Sequence, residues 1–442
     1  MALALGQTRK DLSADALFQL LRAQFGSLPD PRLGAVEIPL GDAIMSAFAM
    51  FSLKDPSLLA FDQRRRDTND NFRTIYRIDR IPCDSQMRAL LDPLDPAILR
   101  PSFREVFRRL QRGKALERFV YRDGHYLLSL DGTTYFSSTK IHCPSCLVQH
   151  HRGGGVTYSH QLLGATLVHP DLKEVIPLAP EPIVQQDGET KNDCERNATR
   201  RWLERFRREY PHLPVIVVED ALSSNAPHLR DLRQARAHYI IGVKPGDHGF
   251  LFEHLQAAEE AGRIEVLTRD DPATGVLHHF RFRNGVPLNE SNADEWVNVL
   301  QYWEIARKGQ VQHFSWITDF RLTAGDVWDI MRGGRARWKI ENETFNTLKN
   351  QGYYLEHNYG HGDQNLSVVL ASLMMLAFLV DQVQQLCRPL FQAAWGKMKT
   401  KCHLWEEIRN HFHTLRFASM AELLRALIRG IAPQEPVFAD SS

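Results

Sequence analysis

Two stretches of sequence decide how the middle of this chain folds: residues 126–134 read YLLSLDGTT and residues 215–220 read VIVVED. Each is an apolar run that suits a buried strand, and each leads directly to an aspartate, Asp131 or Asp220. Because ligands gather at the carboxyl ends of strands in open α/β sheets, we predict that each strand ends at its aspartate and that both acids share that edge. For either aspartate alone, a turn or helix-capping role is the alternative.

A third acid is expected from the segment RWKIENETFNTLK, residues 337–349. At about 3.6 residues per turn, Glu341 falls on the apolar face of this helix, whereas Glu343 lies nearly opposite among polar neighbours. The apolar face is predicted to contain Trp338, Phe345 and Leu348. A carboxylate in such a stripe needs a partner, since an unpaired buried charge is costly. Arg337, one turn earlier, is one candidate partner, and a shared metal ion is the other.

Asp131, Asp220 and Glu341 together suit metal-dependent phosphoryl transfer. Hard cations such as Mg²⁺ or Mn²⁺ take oxygen ligands, and a pair of ions clamps the attacking and leaving oxygens without a protein nucleophile. We therefore predict these three acids as both catalytic residues and metal ligands, holding two Mg²⁺ or Mn²⁺ ions.

From about residue 125 to residue 360 these motifs resemble insertion-sequence DDE transposases with a ribonuclease-H-like catalytic domain. In the group concerned, the last motif runs Y-x2-R-x3-E-x6-K, and Arg337 and Glu341 match its central pair. Gly334 stands at the tyrosine position, and the lysine falls one residue late, at Lys349. The resemblance implies that Arg337 and Lys349 contact DNA. It also implies cleavage of inverted-repeat ends, strand transfer into target DNA and a homodimer in the active complex.

The expected fold is α/β, with a ribonuclease-H-like mixed sheet, helices on both faces, a strand-rich insertion and helical N- and C-terminal regions. The predicted segments are a helical DNA-binding domain (1–120), a first core part (121–243), the insertion (244–320), a second core part with the glutamate helix (321–362) and a helical C-terminal region (363–442). Within the first segment, a helix-turn-helix near residues 84–108 is the candidate for recognising DNA ends.

The composition of the chain restricts this interpretation further. With 54 Lys and Arg against 53 Asp and Glu, net charge alone does not indicate a nucleic-acid partner. Local arginine clusters do, and we predict that Arg200 and Arg201 on a helix near residues 190–210 contact phosphate, with internal ion pairs as the alternative. The apolar stretch 366–380 is too short for a bilayer span, so we expect a buried helix, no membrane association and a cytoplasmic, nucleoid-associated bacterial protein.

A Cys/His-rich segment between the first strands offers a structural zinc site. Cys143 and Cys146 form a C-x2-C pair, and His150 and Cys194 are the candidates for completing it. Reduced cysteines in a polar loop are the alternative. For the whole chain, the alternatives to a transposase are a stand-alone nuclease of the same fold and an inactive or domesticated DNA-binding protein.

Overall fold

A computed structural model describes residues 10–30, 32, 36–66, 70–184 and 194–430. Its helices are α1 (Ala14–Gly26), α2 (Leu40–Leu53), α3 (Leu58–Arg66), α4 (Asn71–Thr74), α5 (Asp84–Leu91), α6 (Arg100–Arg112), α7 (Glu195–Glu209), α8 (Ala226–Gln234), α9 (Gly249–Glu260), α10 (Val327–Ala336), α11 (Asn346–Asn350), α12 (Leu366–Cys387), α13 (Pro389–Met398), α14 (Lys401–Thr414) and α15 (Met420–Arg429). Its strands are β1 (Val120–Arg122), β2 (His125–Ser138), β3 (Leu147–His150), β4 (Val156–Val168), β5 (Ile176–Pro177), β6 (Glu181–Ile183), β7 (Val215–Glu219), β8 (His238–Gly242), β9 (Glu265–Asp271), β10 (Val276–Asn289), β11 (Asn292–Ile305) and β12 (Val311–Thr318). Short 3-10 turns lie at Lys10–Leu12, Pro96–Leu99, Leu116–Phe119 and Ala221–Ser223, and Ile340–Phe345 forms a π-helical turn.

The chain divides into two compact units. One, called here the helical unit, comprises Met1–Ala115 and Leu348–Ser442; the other, the sheet unit, comprises Leu116–Thr347. Helix α12 lies at the centre of the helical unit, because every residue from Leu366 to Leu386 is buried. Within the described residues it is the single helix long and apolar enough to cross a membrane, with a hydropathy of 2.1. Its burial is that of a core helix, and its apolar composition is explained by packing against α2 and α6.

The sheet unit is built on one sheet, which has 12 strands among the described residues. Its main path runs β3-β4-β2-β7-β8-β12-β11-β10-β9. The β2–β7 and β7–β8 pairs are parallel, whereas β4 pairs antiparallel with β2 and β12 pairs antiparallel with β8. Within β3 to β8, the three antiparallel strands β3, β4 and β2 are followed on one side by the parallel strands β7 and β8, which is the ribonuclease-H-like arrangement. The strand-rich segment predicted as an insertion continues this same sheet beyond β8.

Helices cover both faces of the central strands. Successive residues of a strand point to opposite faces, so Leu127 and Gly132 of β2 lie on different sides. A Cβ placed on Gly333 of α10 would meet the Leu127 side chain at 3.5 Å, and one placed on Gly132 would meet Glu195 of α7 at 2.7 Å. Helices α10 and α7 therefore pack on opposite faces, and the predicted fold class, including its helical terminal regions, is confirmed.

One detail of the sequence interpretation is wrong: β2 does not end at Asp131. The strand continues to Ser138, because the residues after Asp131 keep pairing antiparallel with β4 as far as Tyr158. The sequence GTT suggested an exit, yet β-branched residues followed by Tyr135 and Phe136 are good strand formers. Asp131 therefore lies in the middle of a long strand, beyond the point where its parallel neighbour β7 stops pairing at Ser129.

Candidate active site

Asp131 lies on β2 just beyond the end of its parallel pairing with β7. The parallel ladder between β2 and β7 ends with Ser129 opposite Val218, two residues before Asp131. On the other side, Asp131 lies directly opposite Gly164 of β4. Opposed residues share a face of the sheet, so a glycine at position 164 leaves open space beside the carboxylate.

The segment containing Glu341 lies over that space. A Cβ placed on Gly164 would meet the ring of Phe345 at 2.8 Å and the side chain of Ile340 at 3.5 Å. These apolar side chains can contact the sheet because Gly164 has no side chain of its own. Both are buried, and they flank Glu341 in the π-helical turn. Such single π-turns are frequent at functional sites.

Arg337 joins two of the predicted acids. Its Nη1 lies 2.7 Å from Oε1 of Glu341 and 3.8 Å from Oδ2 of Asp131. The guanidinium stacks on the Trp338 ring at 4.7 Å, and the backbone oxygen of Arg337 accepts a hydrogen bond from Ser129 of β2. The predicted Arg337–Glu341 ion pair therefore forms, and it is part of a site that includes Asp131.

Asp220 follows β7 directly and caps the 3-10 turn Ala221–Ser223. Its Oδ1 accepts a hydrogen bond of 2.9 Å from the backbone N–H of Leu222. The capping role considered as the alternative is thus real. It does not remove Asp220 from the site, because this carboxylate also acts electrostatically on Asp131.

The pKa of the Asp131 carboxyl group is shifted far from its usual value. Burial raises the pKa of Asp131 to about 7; the Arg337 guanidinium opposes this, while Glu341 and Asp220 add to it. Its side chain is only 20% exposed. Clustered carboxylates in a cleft with such a shift are typical of sites that bind a cation or move a proton.

Glu195, at the start of α7, is a fourth acid at this site that sequence reasoning missed. Burial, together with the neighbouring carboxylates of Asp131, Glu219 and Asp220, raises the pKa of Glu195 to about 7. It approaches β2 closely because Gly132 has no side chain. Nothing local marks Glu195 in the sequence, where it is simply the first residue of an arginine-rich helix.

A buried ion pair stabilises the end of β7, at the residue that precedes Asp220. Nε2 of His228 lies 2.5 Å from Oε2 of Glu219, and both side chains are almost fully buried. Burial opposes a charge on the ring, but the Glu219 carboxylate outweighs it and raises the pKa of His228. Since His228 is on α8, this pair fixes α8 to the strand that delivers Asp220.

The raised pKa values predict how stability depends on pH in the metal-free protein. A carboxyl whose pKa is about 7 when folded and about 4 when unfolded holds its proton more tightly in the folded state, so stability falls as pH rises between these values. Asp131→Asn removes one such group. In EDTA we expect this variant to match the wild type near pH 4 and to be more stable at pH 8 by on the order of 2 kcal/mol.

Thermal melts of both proteins from pH 4 to pH 8 measure this difference. Millimolar Mg²⁺ should abolish this difference in stability. In the wild type the bound cation offsets the repulsion between the carboxylates, whereas in the variant the cation lacks one of its ligands. A stability difference that does not change with pH would contradict the shift assigned to Asp131.

Two residues that precede Glu341 bear on the sequence interpretation: Trp338 and, in α10, Gly334. Trp338 was placed on the buried face, but it is 49% exposed. The projection assumed a regular α-helix, and the π-helical turn at Ile340–Phe345 breaks that period. Gly334, at the tyrosine position of the motif, packs against the Trp316 indole so closely that a side chain has no room there.

The predicted DNA-contacting residues have partners within the protein. Lys349 is in the helical unit, where its Nζ lies 2.8 Å from Oε1 of Glu356. Arg200 pairs with Asp231 at 3.1 Å while keeping its side chain 55% exposed, and Arg201 pairs with the buried Glu181 at 3.2 Å. The alternative of internal ion pairs is thus realised for Arg200 and Arg201, with acids other than those on the same helix.

The four predicted zinc ligands do not come together as a set. Cys143 and Cys146 are buried side by side, and His160 of β4 lies against them. Cys194 is exposed at the start of α7, and His150 is exposed at the end of β3. The sequence interpretation searched nearby histidines and missed His160, which reaches the cysteines through the pairing of β4 with β2 and β3.

Strand order and strand direction define the sheet unit as a ribonuclease-H-like domain. Residues 174–379, a little under half of the chain, match the sequence model of the family described as the transposase DDE domain. This segment is therefore similar to the transposase DDE domain, and the resemblance predicted from the motifs is confirmed. Asp220 and Glu341 lie inside the matched segment, whereas Asp131 precedes it. This family generally uses divalent metal ions.

One solved structure that matches this chain is the cryo-EM structure of a piggyBac transposase synaptic complex with hairpin DNA. It shares 13% sequence identity with this chain, with a TM-score of 0.39, over 98% of this chain and 85% of that chain. Among curated proteins, the search found no match.

Proposed function

We propose that this protein is a DNA transposase that cuts the ends of its element and joins them to target DNA. The observation that carries the proposal is the cluster formed by Asp131, Asp220 and Glu341. It lies where the parallel pairing of β2 and β7 ends in a ribonuclease-H-like sheet. Two of these acids come from adjacent strands and one from a helix packed over them. A purely structural role would not favour placing Asp220 and Glu341 close enough to raise the pKa of the buried Asp131.

The donor set fits divalent cations. Asp131, Asp220 and Glu341 supply carboxylate oxygens, the ligands that hard cations prefer. Burial raises the pKa of Asp131, and the negative charges of Glu341 and Asp220 add to that effect, so a cation among these acids is favoured. We propose that these three residues hold two Mg²⁺ or Mn²⁺ ions. When bound, such ions stabilise the attacking and leaving oxygens of an in-line displacement at phosphorus.

The chain's own residues prepare this site in distinct ways. Arg337 holds Glu341 in place through its ion pair, and its stacking on Trp338 limits the positions its guanidinium can take. The burial of Asp131 limits water around its carboxylate and strengthens its interactions with the neighbouring charges. Glu195, with a pKa near neutrality, is suited to accept a proton near the site.

A pocket beside the glutamate helix supports a nucleic-acid substrate. It has a volume of about 290 Å³ and combines aromatic with cationic side chains. Its lining includes His278, Tyr302, Trp328, Arg332, Arg335 and Lys339. Aromatic rings stack on bases and cations attract phosphates, so this pocket suits a nucleotide at a strand end. The one acid in the lining, Glu304, is already paired with Arg335.

We assign recognition of the element's ends to the helical unit. Helices α5 and α6 are joined by a short segment there, and the exposed positions of α6 include Arg108 and Arg112. The resemblance to DDE transposases implies that paired ends are held by at least two copies of the chain, so we propose a homodimer in the active complex. The piggyBac transposase was solved with DNA in a synaptic complex, which agrees with DNA as the partner.

The test uses supercoiled plasmid carrying the inverted repeats that flank this protein's gene. Purified wild type is incubated with Mg²⁺, with Mn²⁺ or with EDTA, alongside Asp131→Asn and Asp220→Asn. Asp231→Asn is the matched control, because Asp231 is a partly exposed partner of Arg200. We expect nicked and joined products only with a divalent ion, lost in both site variants and retained in the control.

The outcomes separate the alternatives. Cleavage without joined products indicates a stand-alone nuclease. Binding of the repeats without cleavage, at any divalent ion concentration, indicates an inactive DNA-binding descendant. If neither binding nor cleavage of the repeats occurs, the proposal is wrong.

A further inference from the structure

Two cysteines and one histidine form a compact cluster in the sheet unit, away from the acids of the candidate active site. The Sγ atoms of Cys143 and Cys146 lie 3.8 Å apart. Nε2 of His160 lies 3.5 Å from each of them. The sulfur–sulfur distance is far longer than a disulfide bond, which measures about 2.05 Å.

These three distances match the edges of a tetrahedron around a metal ion. Zinc binds sulfur at about 2.3 Å and imidazole nitrogen at about 2.0–2.1 Å. With tetrahedral angles, those bond lengths set two sulfurs about 3.8 Å apart and a nitrogen about 3.5 Å from each sulfur. All three measured distances therefore agree with one ion in contact with Cys143, Cys146 and His160.

The surroundings favour a structural ion. Cys146 and His160 are 0% and 1% exposed, and Cys143 is 8% exposed. The backbone N–H of Cys143 donates to Sγ of Cys146, and the turn closes with the N–H of Cys146 donating to the oxygen of Cys143. Backbone donors to sulfur stabilise the thiolate form that binds metal. The His160 ring stacks on Tyr135, which fixes its orientation.

We propose that Cys143, Cys146 and His160 bind a structural zinc ion. Thiolate and imidazole ligands select zinc over the hard cations that suit the carboxylates of the active site, so the two metal sites differ in chemistry. The ion ties the loop at residues 139–146 to β4, beyond the end of the strand that carries Asp131. The zinc ion stabilises the sheet, and this role is independent of the proposed transposase activity.

The first experiment measures metal content. The full-length protein, purified without added metal or chelator, is analysed for zinc, iron and copper by mass spectrometry. We expect about one zinc per chain and no stoichiometric iron or copper. Growth in cobalt should replace zinc and produce thiolate-to-cobalt charge-transfer absorption in the near ultraviolet, together with the intense visible bands of a tetrahedral site.

Variants identify the ligands. Cys146→Ser and His160→Ala should each lose the zinc and melt on the order of 10 °C lower than the wild type. Cys194→Ser and His150→Ala are matched controls of the same residue types at exposed positions, and they should keep one zinc and the wild-type melting temperature.

The wild type alone keeps the proposal testable if a variant fails to fold. Wild-type protein that contains no zinc and takes up neither zinc nor cobalt overturns the proposal, as does stoichiometric iron or copper in place of zinc. Loss of zinc from the control variants, with retention in Cys146→Ser, would assign the ion to other residues and would also overturn it.

Discussion

Replacing Glu341 by glutamine is expected to lower metal-dependent cleavage of the element's ends about a thousandfold, whereas Glu343→Gln should stay within about threefold of the wild type. Glu341 pairs with Arg337 at 2.7 Å and acts electrostatically on Asp131. Glutamine keeps the shape of the side chain but loses the charge that a cation needs. Initial rates of nicking at saturating Mg²⁺ measure the effect.

Glu343 is the matched control for this prediction. It belongs to the same π-helical turn and is also partly exposed, but it lies about half a turn further round the helix. Equal losses in both variants would mean that the turn itself is disturbed. A Glu341→Gln variant that still cuts at the wild-type rate would show that the third acid of the site is another residue, with Glu195 the first to examine.

The second large effect is expected in the helical unit, where Asp381→Ala should lower the free energy of unfolding by about 3–5 kcal/mol. Asp381 is the counter-ion of Lys54, with Nζ and Oδ2 2.6 Å apart and the lysine side chain 0% exposed. The Tyr353 hydroxyl donates to the same carboxylate oxygen. Removing Asp381 leaves a cation enclosed by the Tyr353 and Trp405 rings, without the carboxylate that offsets its burial.

A double-mutant cycle separates the energy of the Lys54–Asp381 ion pair from the energy of the packing around it. Lys54→Met combined with Asp381→Leu should recover much of the stability lost in Asp381→Ala, because well-packed apolar groups often replace a buried ion pair at little cost. Chemical denaturation of the full chain, followed by its total tryptophan fluorescence, gives the free energies of unfolding of the wild type, Lys54→Met, Asp381→Leu, the double variant and Asp381→Ala. If the double variant is as unstable as Asp381→Ala, the loss comes from packing at residue 381, not from the unpaired lysine.

The sequence pattern was sufficient to predict most of the architecture. The buried strand 215–219 begins with a continuous apolar run, residues 215–218, and this follows from burial on both faces. The helical terminal regions show the apolar period of helices. The acids Asp131 and Asp220 stand out because each follows such a run directly. These features depend on residues that are close together in sequence, so the pattern of apolar residues along the chain predicts them.

Other features were decided by the tertiary structure alone. Glu195 joins the acids only because α7 packs on β2 at Gly132, and His160 reaches the cysteines only because β4 pairs with its neighbouring strands. Trp338 is exposed because a π-helical turn changes the period of the helix. The sequence by itself determined which segments are buried and which acids follow the strands. Tertiary packing decided which distant side chains share a site, because strand register and helix docking bring together residues whose separation along the chain leaves no local trace.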